Sequence, residues 1–60
     1  VPALIEALDD AEPLVRGHAA WALGRLGGPE ARAALAHTLA HDTEPSVQAE
    51  ARYALETIER

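Results

Sequence analysis

Apolar residues recur along this chain at helical spacing and nowhere alternate as they would in a strand. Leu4, Ile5 and Leu8 share one face of a first helix, and Pro2 is tolerated in its first turn. That pattern predicts a helix over residues 2–9. Asp10-Ala11-Glu12 is a polar turn, after which Pro13, with its fixed φ and missing donor, suits the first position of a new helix. Val15, Ala19, Ala22, Leu23 and Leu26 keep the helical period to residue 26, where Gly27-Gly28 offers a left-handed cap and Pro29 restarts a helix. The further helices are therefore predicted at 13–26, 29–41 and 45–59, the last opening at Pro45 after a second polar turn, Asp42-Thr43-Glu44. The expected class is all-α.

The two halves repeat. Laying Glu12-Pro13 over Glu44-Pro45 gives an offset of 32 that also superposes Val15 on Val47, Ala19 on Ala51, Trp21 on Tyr53 and Leu23 on Leu55. Upstream of the turn the offset is 31, with Leu4 on Leu35 and Leu8 on Leu39. Each unit is helix, short turn, helix, giving repeat 1 at 1–28 and repeat 2 at 29–60 of a single module. Such hairpins cannot bury their apolar faces alone and stack into solenoids. The residues expected to face inward are Leu4, Leu8, Val15, Ala19, Leu23 and Leu26, with Leu35, Leu39, Val47, Ala51, Leu55 and Ile58 from the second repeat.

The second helix of each unit resembles that of the HEAT-like repeats of phycobilin-lyase type, which commonly reads Asp, Val-Arg, Ala-Ala, Ala-Leu-Gly. Here those residues are Asp10, Val15-Arg16, Ala19-Ala20 and Ala22-Leu23-Gly24. The resemblance implies a HEAT-like α-solenoid and a ladder between repeats that would pair Arg16 with Asp42. Gln48, at the matching place of the second copy, stops that ladder.

Composition narrows the chemistry. Fourteen of the residues counted as hydrophobic are alanine, so the core is thin and suited to closely spaced helices. Cysteine is absent, which excludes a disulfide framework, a thiolate zinc site, an iron–sulfur ligand and a cysteine nucleophile within these 60 residues. The apolar runs are only a few residues long, and no leader pattern opens the chain, so a soluble, cytoplasmic protein without a membrane partner is expected. Because an already periodic segment begins at Val1 without an initiator Met, the module is expected to be a piece of a longer chain. With two uncapped apolar edges, the isolated piece is expected to self-associate or to be marginally stable.

Gly17 and Gly24 lie inside a predicted helix, where each costs up to about 1 kcal/mol relative to Ala. Close helix packing at Gly17, whose equivalent is Ala49, is the expected structural reason. The string Val15-Arg16-Gly17-His18-Ala19-Ala20-Trp21-Ala22-Leu23-Gly24 also resembles the carboxy-terminal repeats of bacterial epoxyqueuosine reductases. That resemblance implies a parent oxidoreductase carrying 4Fe-4S clusters and cobalamin in other domains and acting in tRNA queuosine modification. No cofactor is expected in this segment, which would be non-catalytic and would help position tRNA or brace the parent's domains. Arg16, His18, Trp21 and Arg25 supply the charge and planar groups that a partner or tRNA surface would use. Against this, a net charge of -5 repels phosphate. The alternative is a protein–protein scaffold repeat with no nucleic-acid role.

Other candidate sites fall away. His37 and His41 stand at i, i+4, but the residues between them lack the Glu of H-E-x-x-H and no third ligand is evident, so a solvated pair is expected. The adjacent His-Glu pairs of the HEAT-like deoxyhypusine hydroxylases are missing, since Ala19 follows His18 and Ala51 follows Glu50. Glu12 with Arg16 and Glu56 with Arg60 form i, i+4 pairs, and Glu30 and Glu44 sit beside helix starts, which makes them surface devices. No Ser-His-Asp set or phosphate loop is present.

Overall fold

The computed structural model describes residues 2–59. Its four helices are α1 (Pro2–Ala7), α2 (Pro13–Leu26), α3 (Pro29–His41) and α4 (Pro45–Glu59). The last three match the predicted spans. The first is shorter than the expected 2–9, because the amides of Leu8, Asp9 and Asp10 bond to the carbonyls three residues back, at 3.1, 3.0 and 3.1 Å. This tighter winding ends the helix and turns the chain toward Pro13.

Each pair, α1 with α2 and α3 with α4, is a helical hairpin, and α2 and α4 share the most extensive contact. Gly17 lies nearest Glu50 and Gly24 nearest Ala54, so positions rise together along both helices and they run parallel. A Cβ built on Gly24 would stand 2.6 Å from the Ala54 Cβ and 2.9 Å from its Cα. The same atom on Gly17 would meet only the Glu50 side chain, at 3.9 Å. The close approach is therefore at Gly24, which corrects the expectation of tight packing at Gly17. Between α2 and α3, Gly27 and Gly28 take φ of +71° and +94° with extended ψ, a backbone region essentially confined to glycine. The glycines do end α2 at positive φ, but their extended ψ takes them out of the left-handed helical region expected of the cap, and the Gly27 amide makes the last helical bond to the Leu23 carbonyl at 2.9 Å.

The core is built from Leu8, Leu23 and Leu35 together with small residues, Ala19, Ala20, Ala31, Ala51 and Ala54. Leu4, Leu39, Leu55 and Ile58 pack against it half-buried, and Val47 is buried. Two residues assigned to the interior are not there, since Val15 is 38% and Leu26 59% exposed. Both lie on faces of repeat 1 that no element covers. Conversely, Ala20 and Ala31, outside the apolar stripe, are buried, as is Ala54, because helices this close leave room only for a methyl group.

Candidate interaction surface

Arg16 is the residue that joins the repeats. Its Nε donates to Asp42 Oδ2 at 2.6 Å and its Nη2 to Asp42 Oδ1 at 3.2 Å, a two-point ion pair whose side chains are 17% and 7% exposed. Its Nη1 donates to the carbonyls of Asp10 at 2.8 Å and Ala11 at 3.3 Å. The ladder contact between Arg16 and Asp42 is thus formed, and the i, i+4 pair expected between Glu12 and Arg16 is not, because the guanidinium is committed elsewhere. The bond from Asp42 raises the Arg16 pKa, and the bond from Arg16 holds the Asp42 carboxyl below its ordinary value against the opposing effect of burial. Gln48 keeps half of the motif, its Nε2 donating to the Asp42 carbonyl at 2.5 Å as Arg16 does to Asp10. The pair expected between Glu56 and Arg60 lies outside the described residues.

The other three candidates form a surface. His18, Trp21 and Arg25 are all exposed on α2, and spacing of four, three and four residues adds Leu14 to their stripe. Trp21 is 51% and Leu14 70% exposed, and the Arg25 guanidinium lies over the indole, 5.4 Å from the ring centroid. Tyr53, the repeat equivalent of Trp21, is 57% exposed on α4. Between the two rings runs a cleft of about 130 Å³ with Gly24 and Ala54 along it and Arg25 and Thr57 at its rim. Leu14 and Tyr53 were not among the residues singled out from the sequence, although helical spacing from Trp21 and the 32-residue offset point to them.

His37 and His41 are exposed, and their rings stack at 4.2 Å between centroids with 23° between planes. The His41 Nδ1–H donates to the His37 carbonyl at 2.9 Å. Among the described residues no three His, Asp or Glu side chains come together as a metal site. The chain also offers no thiolate to an iron–sulfur cluster. No described helix is long and apolar enough to cross a membrane.

Two stacked helical hairpins, a repeat offset near 32 residues and an Arg–Asp contact between units set the frame for comparison with known families. A family model for HEAT repeats matches residues 1–56. The chain belongs to the HEAT repeat family. No curated protein and no solved structure matches it. Within the HEAT repeat frame, α2 and α4 are the second helices of successive repeats, and Trp21 and Tyr53, at equivalent places on them, flank one cleft.

Proposed function

We propose that this HEAT repeat segment is a non-catalytic protein-interaction module whose contact surface is the α2 stripe of Leu14, His18, Trp21 and Arg25, continued by Tyr53. The observation that carries the reading is the exposure of large apolar and aromatic side chains in one stripe on a scaffold whose cationic anchor, Arg16, is spent internally. Trp, Tyr and Arg are the residues that most often dominate binding energy at protein interfaces. A net charge of -5 makes a protein a better partner for this face than a polyphosphate.

The run from Val15 to Gly24 favours a second, narrower reading: a module of an epoxyqueuosine reductase-like iron–sulfur and cobalamin enzyme, working in the cytoplasm, in which the same face positions tRNA or braces the catalytic domains. It rests on that run alone.

A photo-crosslinking residue in place of Leu14 in the full-length parent separates the two. Crosslinks to protein, whether another chain or another domain of the parent, are expected, and they vanish on Trp21→Ala with helicity unchanged. Crosslinks predominantly to RNA would overturn the protein-interaction reading in favour of the tRNA one. An anaerobic absorption spectrum of the parent with iron–sulfur and cobalamin bands would identify the narrower reading, and a colourless cofactor-replete parent would remove it.

A further inference from the structure

His37 and His41 stand four residues apart on α3, so helical geometry carries both imidazoles to one side of its last turn. The rings are already gathered there, stacked with 4.2 Å between centroids. The His41 Nδ1–H bond to the His37 carbonyl, at 2.9 Å, is of the kind that orients a metal-ligating imidazole, and in the neutral ring it puts the lone pair on Nε2. Both side chains are exposed, so neither has to leave a packed core to take up a ligand.

Their surroundings favour a cation. A cleft of about 280 Å³ brings the two histidines together with Asp9 and Asp10 of the turn between α1 and α2, and with Arg16 and Asp42. Three carboxylates thus face one guanidinium, and since Asp42 neutralises Arg16 in the ion pair, Asp9 and Asp10 set the sign of the cleft. His41 is also the last residue of α3, where the aligned peptide dipoles present their negative end. The α2 stripe lies outside this cleft.

We propose that His37 and His41 chelate a divalent transition-metal ion, zinc or copper in preference to calcium or magnesium, through their Nε2 atoms, with water filling the remaining positions of a two-ligand site. Both ligands come from one helical turn, so the chelate forms only while residues 37–41 stay wound. Bound metal therefore holds the end of α3. The next residue, Asp42, closes that helix through its amide on the Thr38 carbonyl at 2.8 Å and carries the carboxylate that Arg16 grips from repeat 1. The ion thereby steadies the contact between repeats without touching it, and the inference stands apart from the interaction surface on α2.

Calorimetric titration of the chain with zinc chloride at neutral pH should show one ion bound per chain. Zinc at about a hundred times the dissociation constant so measured should lower the urea unfolding constant about a hundredfold, and amide exchange at Asp42 should slow by up to the same factor. His37→Ala and His41→Ala, both at exposed positions, should keep the helicity, weaken zinc binding at least about tenfold and remove the stabilisation. Calcium at the same concentration should leave the unfolding constant unchanged. Absence of zinc binding, or binding undiminished by either substitution, would overturn the proposal. So would calcium binding as tightly as zinc, because the carboxylates and not the imidazoles would then be the ligands. One zinc ion per two chains would overturn it as well, since the ligands would then come from separate copies.

Discussion

Two glycines seven residues apart in α2 should respond to the same substitution with opposite signs. Replacing glycine by alanine inside a helix gains up to about 1 kcal/mol from propensity and from the lost freedom of the unfolded chain. At Gly17 nothing opposes that gain, because the new methyl would touch only the Glu50 side chain at 3.9 Å, an ordinary contact. At Gly24 the methyl would sit 2.6 Å from the Ala54 Cβ and 2.9 Å from its Cα. Carbon atoms pack at about 3.5–4.0 Å, so Ala54 has to retreat by about 1 Å. Alanine has no rotamer to change, and the second close atom is backbone. The whole of α4 must shift, disturbing Val47 and Ala51, which are 1% and 0% exposed.

Overpacking a tight interior costs about 1–3 kcal/mol, and the rigidity of this contact puts Gly24→Ala toward the upper end. Net of the propensity gain, the variant should lose about 1–2 kcal/mol. In a domain of this size that lowers Tm by about 4–16 °C, whereas Gly17→Ala should raise it by about 4 °C. Thermal unfolding followed by circular dichroism reads both. Ala54→Gly should partly rescue Gly24→Ala, because it removes the nearer of the two clashing atoms while the Cα remains, and a double-mutant cycle should show coupling between the sites. A Gly24→Ala protein as stable as the natural chain, or additive effects at Gly24 and Ala54, would refute the close approach of α2 and α4.

Acid should weaken the inter-repeat contact. The folded pKa of Asp42 lies below the unfolded value of about 3.9, so its contribution is present above that value and is lost as pH falls through the folded one. Asp42→Asn should therefore lower Tm at pH 7 and flatten its fall toward pH 2, and a parallel fall in both proteins would show the ion pair to be irrelevant. Leu23→Ala removes a fully buried side chain, and its cost of about 2–5 kcal/mol should leave much of the protein unfolded at 25 °C by circular dichroism. Gly28→Ala meets no atom within 4 Å but must hold φ near +94°, so it should cost about 1–3 kcal/mol from backbone strain alone, measured by urea titration. Trp21→Ala, at a side chain 51% exposed, should keep the fold while abolishing the Leu14 crosslink.

The parts of this fold legible in the sequence are those that local chemistry decides. Pro13, Pro29 and Pro45 open their helices where a missing amide proton costs nothing, and Gly27-Gly28 close α2 with a backbone other residues resist. The Arg16–Asp42 contact was expected only from the resemblance to HEAT-like repeats, since the period aligns the two repeats without saying which side chains pair between them. Periodicity, however, states which face a residue occupies and not what stands opposite it. Val15 and Val47 occupy the same place in their repeats, yet one is 38% exposed and the other 1%, because repeat 1 covers the second and nothing covers the first. The glycines show the same limit along the helix axis. Gly17 and Gly24 lie two turns apart on nearly one face, so their spacing treats them alike. The structure separates them because neighbouring helices cross, and contact is tightest where their axes approach. Leu14 and Tyr53 belonged neither to the inward set nor to the partner surface expected from the sequence, although Tyr53 aligns with Trp21. Their place outside shows only once the inner sides of α2 and α4 are seen to be filled by Ala19, Ala20, Leu23, Val47, Ala51 and Ala54.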